Sequence, residues 1–229
     1  MSRILVYLGV LLTGIAIGGF AVGIGMLVKN YADPGGGAVM TAAVESVQEP
    51  VVEESPGALL FRTKTCTTCH GEQGNKPLLP EYPEIAGQNV AYLLQQMKDI
   101  KSGERANGQS LAMKGVMHLV DDEEMTLLAE YISTLPPAPT SGADPESAGA
   151  TLFATKTCSA CHGVDGKSPL LPEYPRIAGH SAPYALQQMK DIKSGARANG
   201  QTLAMKGIMH LVDDEQMQIL ADHLSTMEP

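Results

Sequence analysis

The pattern of apolar and polar positions begins with an uncharged N-terminal run. From Ile4 to Val28 no charged residue occurs, and these 25 residues exceed the roughly 20 that an α-helix needs to cross a bilayer. A cleaved signal peptide has an apolar core of only about 7–15 residues. Residues 1–28 are therefore predicted to be a transmembrane signal anchor, with cleavage as the alternative. Arg3 before the run and Lys29 after it weakly favour an internal amino terminus.

Polar and small residues follow this run. Residues 29–54 contain DPGGG and EPVVEE, and a sequence of this composition is typical of a flexible linker. Such a chain has a root-mean-square reach of roughly 28 Å, so we expect it to let a globular head search the space near the membrane.

Everything after the linker is a duplication at an offset of 92 residues. Residues 55–134 and 147–226 align without a gap, and 56 of the 80 positions are identical. We predict two similar domains, residues 55–135 and 147–229, joined by the Pro-rich connector 136–146.

Each copy shows helical periodicity and no strand pattern, so the predicted fold class is all-α. Gly103 should end a central helix, and Asp121 with Glu124 forms a capping pattern before the last one. The stretches GNKPLLPEYPEIAG and SLAMKGVMHLVD are predicted to be irregular. The apolar positions of the three predicted helices in the first copy are Leu59, Leu60 and Phe61; Val90, Leu93, Met97 and Ile100; and Met125, Leu128, Ala129 and Ile132.

Composition narrows the classes of function. The chain has a formal net charge of −9, and residues 55–229 contain 14 basic and 20 acidic side chains, a net charge of −6. This balance argues against nucleic acid and favours partners with a basic face. A domain of about 80 residues with few aromatic side chains usually needs a staple or cofactor to complete its core.

The candidate chemistry is a C-x-x-C-H pattern that occurs twice, in TCTTCHGEQG and TCSACHGVDG. A zinc site would need four ligands, and the chain has no further cysteine to supply them. A dithiol redox pair would need a βαβ context. C-x-x-C-H is the attachment pattern of c-type haem, in which two thiols form thioethers and the histidine binds iron. We predict two covalently bound haem c, held by Cys66, Cys69, Cys158 and Cys161, with His70 and His162 as iron ligands.

A second iron ligand has to come from the far side of each ring, and a methionine raises the potential whereas a histidine lowers it. In the first copy, Met97 and Met125 lie on predicted helix stripes and are interpreted as core. Met113, Met117 and His118 remain as alternatives. Their counterparts in the second copy are Met205, Met209 and His210.

These features together resemble the dihaem cytochrome c4 family, whose members consist of two class I cytochrome c domains. The resemblance covers residues 58–227 and is carried by CTTCHGEQGN, YPEIAGQNVAYLLQQMKDIKSGER and DDEEMTLLAEYIS. It implies that Met113 and Met205 are the axial methionines. It also implies that the backbone carbonyls of Pro83 and Pro175 hold the rings of the ligating histidines.

Two arginines and two histidines outside the motifs are further candidates for a functional role. Arg105 and Arg197 are expected to meet haem propionates, because a guanidinium suits carboxylates, with solvated surface arginines as the alternative. His180 and His223 have no counterpart in the first copy and are expected at the surface rather than in catalysis. The two halves are more alike than is usual in the family, which weakens any inference that the haems differ strongly in potential.

The resemblance implies an electron carrier and not an enzyme. The expected function is to pass single electrons from a quinol–cytochrome c reductase to a haem–copper oxidase, in a chain anchored in the inner membrane with its head on the periplasmic or outer face. A fixed subunit of a respiratory supercomplex is an alternative. A dihaem peroxidase would need asymmetric iron sites, yet the ligand stretches differ only at Ser110/Thr202 and Val116/Ile208.

Overall fold

The computed structural model describes residues 54–229 and contains ten helices and no strands in that range. The helices of the first copy are α1 (Pro56–Thr63), α2 (Cys66–His70), α3 (Val90–Ser102), α4 (Ser110–Met117) and α5 (Asp122–Thr134). Those of the second copy are α6 (Ala148–Thr155), α7 (Cys158–His162), α8 (Ala182–Ser194), α9 (Thr202–Met209) and α10 (Asp214–Thr226). Each helix of the second copy begins 92 positions after its counterpart, so the all-α class and the duplication are confirmed for these residues.

The helix boundaries follow the capping residues of the sequence. The side chain of Asp121 accepts a hydrogen bond from the Glu124 N–H at 2.8 Å, and the Glu124 carboxylate accepts one from the Asp121 N–H at 3.0 Å. This reciprocal pair confirms the predicted capping box. Helix α3 ends at Gly103, whose φ of 93° lies in the left-handed region that glycine adopts without strain.

The core of each copy is formed where its last helix packs against the two earlier ones. In the first copy, α5 packs against α1 and α3, and α4 packs against α3. Phe61, Met97 and Met125 are buried there, as their periodicity predicts. Leu59 and Val90 are exposed, so their assignment to the inner stripes is wrong. Leu59 lies on the opposite face of α1 from the buried Gly57 and Phe61. Val90 shares a face with the buried Leu93 and Met97 but is the first residue of α3.

The stretch SLAMKGVMHLVD was expected to be a loop, and this prediction is wrong. Its residues Ser110–Met117 form α4. Leucine, alanine, methionine and lysine are strong helix formers, and a Cβ at Gly115 would meet nothing within 4 Å. The glycine therefore sits on an open face, where it weakens the helix without forcing it to end.

The two copies meet along a contact surface, called the seam below. The side chain of Gln88 pairs with the backbone of Arg176, donating to its carbonyl at 2.8 Å and accepting from its N–H at 2.9 Å. Asn89 donates to the carbonyl of Tyr174 at 2.8 Å. Ser181 donates in turn to the carbonyl of Pro80. Side chains of α3 and α8 complete the seam, as described below.

The connector between the copies is hydrogen-bonded to both of them. Asn75 donates to the carbonyl of Pro136 at 2.8 Å, and Thr140 donates to the carbonyl of Met227 at 3.2 Å. Within residues 54–229 none of the helices is both long and apolar enough to cross a membrane. The predicted anchor, residues 1–28, and the predicted linker apart from its last residue lie outside the described residues.

Candidate functional site

Each C-x-x-C-H motif forms a five-residue helix that begins with an unusual backbone conformation. Thr65 precedes α2 with a φ of 62°, and Thr157 precedes α7 with a φ of 61°. In the described part of the chain, these two are the residues other than glycine with positive φ. A β-branched residue is strained in the left-handed region, and such strain is concentrated at functional sites. The turn places both cysteines on the single helical turn that follows.

The four cysteines are free and partly buried. Burial raises the pKa of Cys66 to about 11, and it does the same for Cys158. A catalytic or metal-binding cysteine instead needs a lowered pKa, because the thiolate is the reactive form. Within residues 54–229, no group of three or more His, Cys, Asp or Glu side chains is placed to hold a metal ion. The raised pKa argues against a reactive thiolate at Cys66 and Cys158.

The histidine of each motif is fixed by a proline carbonyl. His70 Nδ1 lies 3.0 Å from the Pro83 carbonyl, and His162 Nδ1 lies 3.0 Å from the Pro175 carbonyl. Burial lowers the pKa of both histidines, although these hydrogen bonds oppose the shift. Since a carbonyl only accepts, Nδ1 carries the proton, and the neutral ring keeps the Nε2 lone pair free. This is the tautomer that an iron ligand requires.

The loop after the motif requires glycine. Gly71 has a φ of 81°, and a Cβ at this position would lie 2.3 Å from the carbonyl oxygen of Lys76. This close approach lets the chain turn back beside the motif, where Leu78 donates its N–H to the carbonyl of Cys69 at 2.9 Å. The same turn leads towards the proline that holds His70.

The methionines of α4 differ in their surroundings. Met117 is only 1 % exposed and fills the core, and its counterpart Met209 is equally buried. Met113 is half-buried at the edge of the same core, one helical turn earlier, and Met205 matches it. At this edge the side chains of Met113 and Met205 are available to a bound group, whereas Met117 and Met209 are fully packed. His118 is exposed.

Each copy exposes leucines at matching positions. Leu111 is 75 % exposed and its counterpart Leu203 is 79 % exposed. The other exposed matched pairs are Leu78 with Leu170, Leu79 with Leu171, and Leu119 with Leu211. Exposed apolar surface at matching positions of both copies indicates that each copy binds a large apolar group, which would cover this surface.

Arg105 and Arg197 lie in the seam, where they are 8 % and 7 % exposed. The surface alternative is therefore wrong. Arg197 donates to the Tyr92 hydroxyl of the first copy at 3.0 Å, and Arg105 donates to the Tyr184 hydroxyl of the second at 3.4 Å. Neither takes part in the salt bridges of the described residues, and the buried Nε of Arg105 has no partner. Buried cations require compensating acceptors, so the haem propionate contact stays a prediction that fits these residues.

Sequence reasoning missed the polar side chains that surround these arginines. Arg105 donates to Gln96 at 2.9 Å within its own copy, and Arg197 donates to the same side chain at 3.1 Å across the seam. Asp99 is buried on the same helix. The available signal was the stretch LQQMKDIKSG, which is identical in the two copies and carries polar residues beside its apolar ones.

His180 also lies in the seam, where it is half-buried rather than fully exposed at the surface. Its Nδ1 is buried without a hydrogen-bond partner, and its ring contacts Tyr184 edge-on at 5.2 Å between centroids. It lines a cavity of about 20 Å³ together with Glu84, Gln88 and Arg176. His223 is half-buried and lies 3.4 Å from the Ser147 hydroxyl.

Comparison with known proteins is consistent with this geometry. The family model described as cytochrome c matches residues 55–136 and again residues 146–228. Cytochrome c4 from Thiocapsa roseopersicina is 33 % identical over 193 residues, which are 80 % of this chain and 95 % of that protein. A thiosulfate dehydrogenase electron acceptor from Thiomonas intermedia is 31 % identical over 176 residues, which are 70 % of this chain and 77 % of that protein.

A solved structure has a similar arrangement of two domains. Reduced recombinant cytochrome c4 from Pseudomonas stutzeri superimposes with a TM-score of 0.66 at 28 % sequence identity. The match covers 77 % of this chain and 99 % of that one. The similarity therefore extends over both copies and the connector.

Proposed function

Because the chain belongs to the cytochrome c family and is a tandem, cytochrome c4-type member with two covalently bound haem c, we propose that it carries electrons in a respiratory chain while tethered to the membrane. The observation that carries this proposal is the near identity of the two sites. Each contains a histidine held by a proline carbonyl at 3.0 Å and a methionine on the edge of the core.

The roles of the residues follow from their chemistry. Two cysteines of each motif would hold a haem through thioethers, and the free Nε2 of His70 or His162 would bind its iron. Met113 or Met205 would supply a further ligand, which would favour the reduced state relative to a histidine. When bound, each haem supplies one-electron chemistry at iron. Because both sites are closed by protein ligands, no substrate has to reach the metal.

An enzyme of the dihaem peroxidase type would need one iron with an open position. The two copies offer no such contrast, since α4 and α9 differ only by a serine-to-threonine and a valine-to-isoleucine exchange. The candidate ligands Met113 and Met205 are both half-buried. This symmetry favours a carrier.

The partners follow from charge and from the N-terminal sequence. The net charge of −6 over residues 55–229 favours docking onto basic faces of a quinol–cytochrome c reductase and a haem–copper oxidase. Residues 1–28 would anchor the chain in the inner membrane, and residues 29–54 would give the head roughly 28 Å of reach. The head would then act on the outer, periplasmic face, where thiols can be joined to haem.

Two related functions share this chemistry. In one, the chain is a fixed subunit of a respiratory supercomplex, which the anchor would permit. In the other, it accepts electrons from a thiosulfate-oxidising enzyme, as the name of the Thiomonas relative suggests for that protein. In both alternatives the two haems still carry electrons. Only the electron donor, or the mobility of the protein in the membrane, would be different.

The redox state of the haems in isolated membranes tests the proposal. We expect a quinol to reduce both haems and oxygen to reoxidise them. An inhibitor of the quinol–cytochrome c reductase should block the first step, and cyanide should block the second. Reduction by thiosulfate that resists the first inhibitor would favour the thiosulfate alternative. Haems that consume hydrogen peroxide catalytically would contradict the carrier assignment, and loss of the protein on alkaline washing would contradict the anchor.

A further inference from the structure

Two lysine side chains, one from the end of α1 and one from α3, converge on the segment that follows α4. Lys64, the residue that follows α1, donates to the carbonyl of Leu119 at 2.5 Å. Lys101, in the last turn of α3, donates to the next carbonyl, that of Val120, at 2.6 Å. Both carbonyls belong to residues that follow α4, and the N–H groups of these residues donate to the carbonyls of Val116 and Met117 in its last turn. A cation beyond the carboxyl end of a helix also stabilises its dipole. The two lysines therefore hold the segment that ends the helix that carries Met113.

The second copy repeats this arrangement. Lys156 donates to the carbonyl of Leu211 at 2.7 Å, and Lys193 donates to that of Val212 at 2.6 Å. The recurrence at the same positions in both copies shows that the contact follows from the fold of each domain. The same lysine contacts can therefore be compared between the two copies.

Lys64 and Lys156 occupy a special place in the sequence. Each stands two positions before the first cysteine of its motif and is separated from it only by the strained threonine. Their ammonium groups thus join the segment that holds the haem to the residues just after the methionine helix, over a separation of 55 residues. A displacement of that helix would require breaking this contact.

The two versions differ in the salt bridges of their lysines. In the second copy, Lys193 lies 3.8 Å from the exposed carboxylate of Asp214, a pair that the described residues of the first copy do not repeat. In the first copy, Lys64 also binds the carboxylate of Glu124 at 2.8 Å, and both side chains are only about one quarter exposed (23 % and 25 %). In the second copy Gln216 occupies this position, and the described residues include no salt bridge to Lys156. The lysine is therefore held at two points in the first copy and at one point in the second.

We propose that Lys64 and Lys156 are positioning residues that keep the methionine helix closed over the haem, and that Glu124 makes this clamp tighter in the first copy. The consequence is a functional difference between two nearly identical sites: Met205 leaves its iron more readily than Met113. This inference rests on the proposed methionine ligation. The sixth ligand of the second haem would be held less firmly, although both haems have a methionine as this ligand.

Imidazole binding to the ferric full-length protein measures how readily each methionine leaves, because imidazole can enter only an opened position. The methionine-to-iron absorption band in the red is followed over time. We expect two phases of equal amplitude, the faster one belonging to Met205. The salt bridge is partly exposed, so the rates should differ by about two- to fivefold.

Reciprocal exchanges provide matched controls. Glu124→Gln should accelerate the slow phase until it merges with the fast one, and Gln216→Glu should slow the fast phase. Both residues serve the capping box at the start of their helix, since Gln216 accepts from the Asp213 N–H at 3.3 Å. The exchanges therefore preserve the cap and alter the clamp. Lys64→Met should accelerate the same phase as Glu124→Gln, with an unchanged far-ultraviolet circular dichroism spectrum.

The outcomes separate this inference from the function on which it rests. A wild-type spectrum without the red band would contradict methionine ligation and with it the clamp. If the red band is lost in two phases and neither Glu124→Gln nor Gln216→Glu changes their rates, the clamp alone would be overturned. Acceleration of both phases together by Glu124→Gln would also overturn it, because a local clamp acts on its own copy.

Discussion

Asn199 of the second copy donates its side-chain amide to Oδ2 of Asp99 in the first copy at 2.6 Å. Asn107 and Asp191 make the reciprocal bond, also at 2.6 Å. All four side chains are buried, so the seam joins the two copies through a polar network related by an approximate two-fold arrangement. Buried polar groups of this kind are costly to leave unpaired and therefore define one relative position.

Removing one of these amides should weaken the seam. Asn199→Ala leaves the buried Asp99 carboxylate without its donor from the other copy, which costs about 1–3 kcal/mol. Denaturant unfolding of the holoprotein should show this loss of stability. Gln201→Ala is the matched control, because Gln201 is exposed and makes no capping bond. Equal stability of the two variants would show that the seam does not depend on this pair.

His180 should make stability depend on pH. Burial lowers its pKa to about 4, whereas an unfolded histidine titrates near 6.5. The folded protein therefore favours the neutral ring, so its stabilisation is present above about pH 6.5 and is lost as the pH falls towards 4. His180→Gln, which restores the residue found at position 88, should flatten this acid limb. Unfolding free energies measured from pH 4 to 7 test it.

Glu84 lines the same cavity and provides the opposite control. Burial raises its pKa to about 7, so its contribution is present below about pH 4.5 and is lost as the pH rises through 7. Glu84→Gln should therefore improve stability on the neutral side and leave the acid limb unchanged. A Glu84→Gln variant that flattens the acid limb instead would contradict the assignment of that limb to His180.

The two methionines of α4 should respond differently to substitution. Met113→Leu should remove half of the red absorption band with little loss of stability. Met117→Ala should keep the band and cost about 2–5 kcal/mol, because Met117 is a fully buried core residue. Spectra and thermal unfolding of both variants test this. Loss of the band in Met117→Ala, with its retention in Met113→Leu, would move the ligand by one helical turn.

Many of the helices and the haem attachment motifs could be predicted because they depend on residues that are close together in the sequence. The capping pair Asp121 and Glu124 lies within four residues, and the C-x-x-C-H spacing sets the two cysteines on one helical turn. The stretch SLAMKGVMHLVD was predicted to be irregular, yet its first eight residues form α4. The space around Gly115 is open, and local pattern contains no information about such space.

The seam could not be predicted from local pattern. Gln96 lies in the central helix of the first copy, and its partner Arg197 is 101 residues away. His180 looked like a surface residue because its neighbours in the seam, such as Glu84, belong to the other copy. Contacts of this kind depend on how two folded domains pack together. A duplicated sequence does not indicate which faces of the two domains are in contact.

Salt should slow the reaction with a basic redox partner. The head carries a net charge of −6 over residues 55–229, and attraction between exposed charges is screened over about 8 Å at physiological ionic strength. Stopped-flow oxidation by isolated haem–copper oxidase should therefore slow as salt is added. A rate that stays constant or rises with salt would contradict docking by charge.

The central claim is that both irons are closed by protein ligands, and the low-temperature electron paramagnetic resonance spectrum of the ferric full-length protein tests it most directly. The sites built around His70 with Met113 and His162 with Met205 predict two low-spin signals that integrate to two haems per chain. A high-spin signal from either iron would reveal an open coordination position. That result would contradict the electron carrier and favour an enzyme.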